Sequence, residues 1–188
     1  MHAVGVAGVR DATVRDAPTL AALHRVTWRA AYAELLPPGT LDELDTPQLQ
    51  QAWAATIEGG ATVLIATEGA HPVGFVVAGP APTDDVAAAD GTVPSDAART
   101  VLVSTLLVEP RWGRRGHGGR LLAAAATSLR EAGATRGIAW VPAEDPASLN
   151  FYRRAGWAPD GTVRTLDAHG RALRELRLTG SLDLELTQ

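Results

Sequence analysis

The sequence predicts a single α/β domain, and three observations predict it. Val101 to Val108, VLVSTLLV, is an almost unbroken run of β-branched residues and Leu, long enough for a strand buried on both faces. A turn rich in Gly and Arg follows it directly, and then a helical pattern that runs to Glu131. Elsewhere, helical periodicities are interleaved with short apolar or alternating runs that read as six further strands. The 188 residues suit one core, spanning 1–188 and burying roughly two-thirds of its unfolded surface.

Val4 to Arg10 is the first strand. Asp16-Ala17-Pro18 supplies a capping acid and an early proline, so a helix is expected from there to about Tyr32, with Leu20, Leu23, Thr27 and Trp28 on one face. LLPPG, Leu35 to Gly39, ends that segment. Thr46-Pro47 opens a second helix to about Glu58, stopped by Gly59-Gly60. ATVLIAT and VGFVVAG are strands two and three, joined through Glu68 to Pro72 as a hairpin. From Gly79 to Ala98 the composition turns to Pro, Ala, Asp and Gly with little periodicity. That predicts a long mobile loop, a candidate border of a substrate entrance.

Glu109-Pro110 stops the fourth strand. RWGRRGHGGR, Arg111 to Arg120, then holds four arginines, four glycines and no carboxylate. In the helix that follows, Leu121, Leu122, Ala125 and Leu129 share a face, and Gly133 is placed to end it as the C′ residue. Glycines let a backbone approach a ligand and turn its N–H groups inward, while a helix start adds unpaired donors and partial positive charge. The construction fits a phosphate-bearing ligand. It is neither a dinucleotide fingerprint, because Leu121 stands where the third glycine belongs, nor a P-loop, because Gly119-Arg120-Leu121 replaces the required Gly-Lys-Ser/Thr.

Gly137 to Val141 is a fifth strand, and Pro142 cannot donate a backbone hydrogen bond beyond it. Asp145-Pro146 is an N-cap and first-turn pair opening a helix to Gly156, on which Asp145, Ser148 and Tyr152 share one face. Thr162 to Leu166 and Leu173 to Leu178, around Ala168-His169-Gly170, form a final hairpin. Leu182, Leu184 and Leu186 alternate in the tail as a candidate edge extension.

Composition excludes several classes. Cysteine is absent, which removes disulfides, thiolate nucleophiles and Cys-based zinc sites. The five histidines, His2, His24, His71, His117 and His169, show no metal-ligand spacing, so no metal is expected. A net charge of −4 argues against a nucleic-acid partner, and no apolar run approaches the ~18 residues of a membrane span. The N-terminus lacks the basic start and apolar core of a signal peptide, so the expected compartment is the cytoplasm. All 17 basic residues are arginine, and five lie between Arg111 and Arg130.

Two blocks resemble the GCN5-related N-acetyltransferases, the GNAT superfamily. WGRRGHGGRLL is similar to the family's R/QxxGxG/A loop between the fourth strand and the next helix, with Gly113 where Gln or Arg is usual. VPAEDPASLNFYRRAGW is similar to its VxxxNxxAxxFYxxxGF block, with Asp145 in the Asn position and Ser148 in the Ala position. The resemblance implies a mixed, largely antiparallel seven-stranded sheet with about four helices, strands four and five being parallel and splayed. It implies acetyl transfer from acetyl-CoA to a primary amine of a small molecule or peptide, by direct attack on the thioester.

The amides of Arg114, Arg115, Gly116, His117, Gly118, Gly119 and Arg120 would hold the CoA diphosphate. Leu106, Leu107 and Val108 would offer backbone groups to the cofactor, and an N–H near Leu107 or Val108 would face the oxyanion. Asp145 and Ser148 would border the cofactor, and Tyr152 would protonate the leaving thiolate. TWRAAYAELLP resembles the family's first-helix region, which makes Trp28, Tyr32 and Glu34 candidate acceptor-pocket residues. Strand four carries no carboxylate, so no general base is assigned. A non-catalytic acyl-CoA-binding module, a protein N-terminal acetyltransferase and a homodimeric assembly stand as alternatives at this point.

Overall fold

The computed structural model describes residues 6–32, 47–168 and 170–184. Its elements are β1 (Ala7–Asp11), α1 (Ala17–Tyr32), α2 (Pro47–Glu58), β2 (Thr62–Glu68), β3 (His71–Pro80), the short α3 (Thr83–Val86), β4 (Thr100–Val108), α4 (His117–Glu131), β5 (Arg136–Pro142), α5 (Pro146–Arg154), β6 (Ala158–Ala168) and β7 (Arg171–Ser181). The seven strands hydrogen-bond in the order β1-β2-β3-β4-β5-β7-β6. β1 runs antiparallel to β2, and β7 antiparallel to both β5 and β6. β4 and β5 are parallel, and their ladder is short: it pairs Thr100 with Arg136, Val101 with Gly137 and Leu102 with Ile138. Both strands continue beyond it, so this is the mixed, parted sheet the resemblance implied.

Contacts group the chain into two compact units, residues 1–77 with 105–124 and residues 78–104 with 125–188. In the first, alternate residues Val63 and Ile65 of β2 and Phe75 and Val77 of β3 bury against Ala17, Leu20 and Leu23 of α1 and Trp53 of α2. Period two on the strands meets period 3.6 on the helices. Trp53 sits edge-on to Phe75 with ring centroids 5.0 Å apart. The start of α1 is fixed by Asp16, whose carboxylate accepts the Thr13 N–H at 2.8 Å and pairs with Arg10 at 2.7 Å.

In the second unit the core piece is Trp157, 1% exposed. Its indole lies across Gly137 of β5 and Gly180 of β7, which are register partners, and a Cβ on either glycine would collide with the ring. Its Nε1 donates to the Ser181 carbonyl at 3.0 Å. Leu182, 2% exposed, packs on the same side, near Gly137. Leu186 lies outside the described residues, as do Val4, Leu35 to Gly39 and His169.

Three expectations need correction. The segment from Gly79 to Ala98 is not a mobile loop: β3 extends to Pro80, α3 is an additional helix, and Val86 is fully buried. Arg177 of β7 donates to the Asp85 and Ala87 carbonyls at 2.9 and 2.7 Å, Trp140 Nε1 donates to the Asp85 carboxylate at 2.9 Å, and Arg136 pairs with Asp96 at 2.7 Å. β4 is buried only over its first half, with Ser104 exposed and Thr105 to Val108 half-buried. The link between β2 and β3 is two residues, Gly69-Ala70, because Pro72 is taken into β3.

Candidate active site

The glycine-rich turn carries a run of backbone donors without protein acceptors among the described residues. A single turn at Pro110 to Trp112 ends with the Gly113 N–H on the Pro110 carbonyl at 3.0 Å. Arg114 then takes φ +59°, a left-handed conformation rare for a side-chain-bearing residue, and Gly116 takes φ +79°. α4 begins at His117, so its first amides have no partner within the helix. The Arg120 N–H is the first to be satisfied, donating to the Gly116 carbonyl at 3.0 Å. Sequence reading carries the cradle to Arg120; among the described residues, the amides with no protein acceptor run from Arg114 to Gly119. Such a nest at a helix start binds anions.

The arginines around it are largely committed to holding its shape. Arg111 pairs with Glu109 at 2.6 Å, and the Arg115 guanidinium lies over the Trp112 ring at 4.9 Å. Arg120 reaches back to donate to the Arg115 carbonyl at 2.9 Å. Arg114 is exposed, with no ion pair among the described residues. The His117 side chain turns away from solvent: it is 2% exposed, with Nε2 2.8 Å from a Glu68 carboxylate oxygen.

Beside this turn, β4 slips by one residue against β3. The Ala81 N–H donates to the Thr100 carbonyl, and the Glu109 N–H donates to the Val73 carbonyl, so β4 runs antiparallel to β3 but spans one residue more between these bonds. That is a β-bulge, which leaves one residue of β4 outside the ladder. At the Leu107-Val108 end the strands approach closely at Gly74, where a Cβ would lie 2.5 Å from the Leu107 carbonyl oxygen and 3.0 Å from the Val108 Cα. A glycine inside an apolar strand signals close backbone approach; Gly74 carries that signal within VGFVVAG.

On α5, Asp145 is the N-cap. One carboxylate oxygen accepts the Ser148 N–H at 3.0 Å, and the other accepts its hydroxyl at 2.6 Å, so both oxygens are engaged by Ser148. Gly156, at φ +82°, closes the other end, with its N–H on the Arg153 carbonyl and the Trp157 N–H on that of Tyr152. Tyr152 stacks on Trp157 with centroids 5.3 Å apart and meets Phe151 edge-on at 5.1 Å. Burial pushes its phenol well above the ordinary value.

Of the residues read as acceptor-facing, Trp28 is half-buried and edge-on to His24 at 5.1 Å. Tyr32 is the last residue of α1, and Glu34 lies outside the described residues. Among the described residues no group of His, Cys, Asp and Glu is placed to hold a metal ion, and no helix is long and apolar enough to cross a membrane.

A seven-stranded mixed sheet with a short parallel ladder between β4 and β5 is the fold the resemblance implied. The profile of the Acetyltransferase (GNAT) family matches residues 20–157, so the chain belongs to this family and with it to the acetyl-CoA-dependent acyltransferases. It is 29% identical over 160 residues to a Mycobacterium tuberculosis protein named Probable N-acetyltransferase Rv2775, covering 84% of this chain and 83% of the relative. It is likewise 29% identical over 171 residues to the Uncharacterized N-acetyltransferase YuaI of Bacillus subtilis, covering 90% of each. The PaiA N-acetyltransferase of Thermoplasma acidophilum, solved in complex with coenzyme A, superposes with TM-score 0.72 at 14% identity, over 94% of this chain and 99% of that one. The yncA protein of Salmonella typhimurium, solved with acetyl-CoA, does so with TM-score 0.66 at 17% identity, over 97% and 98%. At these identities the likeness establishes the fold.

Proposed function

We propose that the chain acts as one catalytic domain, moving an acetyl group from acetyl-CoA to a primary amine of a small molecule or peptide by direct attack on the thioester. The observation that carries this reading is the run of amides from Arg114 to Gly119, at the start of α4 and without protein acceptors among the described residues. A diphosphate supplies the acceptors they lack, each favourable charge contact being worth on the order of 0.3–2 kcal/mol.

With the donor anchored, the neutral amine attacks the thioester carbonyl carbon, the C–N bond forms and negative charge develops on the oxygen. A backbone N–H near Leu107 or Val108 on β4 is the group best suited to stabilise that charge. The C–S bond then breaks, and Tyr152 gives its phenolic proton to the departing thiolate. The donation is uphill in water, from a phenol of pKa about 10 to a thiolate whose acid has pKa about 8.5. A thiolate in the same apolar surroundings is raised by burial as well, so the mismatch need not widen. Trp28, Tyr32 and Glu34 are the candidate acceptor contacts, and the amine's own proton leaves through water.

The test is calorimetric titration of the protein with acetyl-CoA, followed by thiol release over a panel of small amines and peptides. Binding with CoA release dependent on one class of amine is expected. Binding with no release over any amine would leave a cofactor-binding module and overturn the transferase mechanism.

A further inference from the structure

Beneath the nest lies a carboxylate that the proposed chemistry does not use. Glu68 is the last residue of β2, and its side chain is 13% exposed. One oxygen pairs with Arg115 Nη1 at 3.2 Å, and the other lies 2.8 Å from His117 Nε2. These two partners bracket Gly116, the left-handed glycine on which the turn pivots. Arg115 is held a second time by the Trp112 ring, and its carbonyl accepts from Arg120. The His117 ring is buried in the first turn of α4, and among the described residues its Nδ1 has no partner and Glu68 holds the one hydrogen bond of the ring.

We infer that Glu68 is a positioning residue for the diphosphate nest, fixing from β2 the angle between the turn and α4 through Arg115 and His117. The inference rests on the reading of the nest as the acetyl-CoA diphosphate site. A buried carboxylate close to an anion site opposes the ligand's charge unless it is neutralised, and here a guanidinium and an imidazole face it. Its contribution is therefore geometric. Without Glu68 the amides of Arg114 to Gly119 remain but sample more orientations, and binding must order them first.

The experiment compares two acetyl donors on the full chain: acetyl-CoA, which carries the diphosphate, and S-acetyl-pantetheine, which has the same thioester arm without it. For Glu68→Ala, the Kd for acetyl-CoA should rise about tenfold while kcat/KM for S-acetyl-pantetheine stays within twofold of wild type, as expected for a charge-assisted anchor felt only through the phosphates. Glu68→Gln keeps an acceptor for His117 and the size of the side chain. It should lose less affinity than Glu68→Ala, and it serves as the readout should the alanine variant not fold. Equal losses for both donors would show a merely structural role, and unchanged acetyl-CoA affinity in both variants would show that Glu68 does not set the nest. Either result overturns the inference. If wild type itself bound no acetyl-CoA, the assignment of the nest would fail, and this inference with it.

Discussion

Tyr152 combines two properties that pull in different directions for an acid. Its phenol is raised by burial, so it stays protonated throughout the working pH range yet is a reluctant donor. Its ring is clamped against Trp157, which itself has no freedom over Gly137 and Gly180. In the proposed mechanism, position rather than acidity is what it supplies. Tyr152→Phe keeps the stack and removes only the hydroxyl, so kcat should fall by about 10²–10⁴-fold with the Kd for acetyl-CoA nearly unchanged. Steady-state rates beside calorimetric titration check this; equal losses in both would assign Tyr152 to packing alone. The place of Tyr152 on α5 was legible because its motif sets it one turn before a glycine-terminated helix end. Glu68 was not, because β2 and the arginine turn are far apart in sequence and a lone charge at a strand end reads as a solvated residue.

Among the elements, β4 is bound closely on one side and released on the other. The β3 side is set by Gly74, whose missing side chain admits the Leu107 carbonyl. Gly74→Ala must push backbone against backbone, with no flexible side-chain end to yield. A destabilisation of about 1–3 kcal/mol is expected, as for other overpacked sites, together with a loss of kcat from displacement of Leu107 and Val108. Urea unfolding and steady-state assays read the two effects; an unchanged midpoint would show that the strands can part at no cost. α2 was read to its ends because Pro47 and Gly59-Gly60 are local signals. The order in Gly79 to Ala98 was invisible locally, because the partners of Asp85 and Asp96 include Trp140, Arg164, Arg177 and Arg136, on strands that come later in the chain.

For the molecule as a whole, stability should depend on pH through His24. Burial lowers its pKa, its Nδ1 has no partner among the described residues, and it packs against Trp28 and Trp53. The unfolded chain therefore binds a proton that the folded chain refuses. Stability is complete above the ordinary value of about 6.5 and falls as pH drops below it. The Asp16 carboxyl, held far below its ordinary value by its bond to Arg10, contributes stability above about pH 4 that is lost only in stronger acid, outside this window. Thermal melts from pH 7.5 to 5.5 should show a declining Tm that His24→Phe flattens; an equal slope in the variant would place the titrating group elsewhere. The sheet as a whole was readable because most of its strands are short apolar runs flanked by turn residues, whereas the slip of β4 against β3 leaves no mark in composition.

That slip sets a rule for change. A strand whose frame against its neighbour shifts once cannot gain or lose a residue without cancelling or doubling the shift, and either outcome would swap which side chains face inward beyond it. Insertions and deletions should therefore be excluded from Thr100 to Val108 more strictly than core substitutions are, and evolution at this site is left to work by replacement at fixed length.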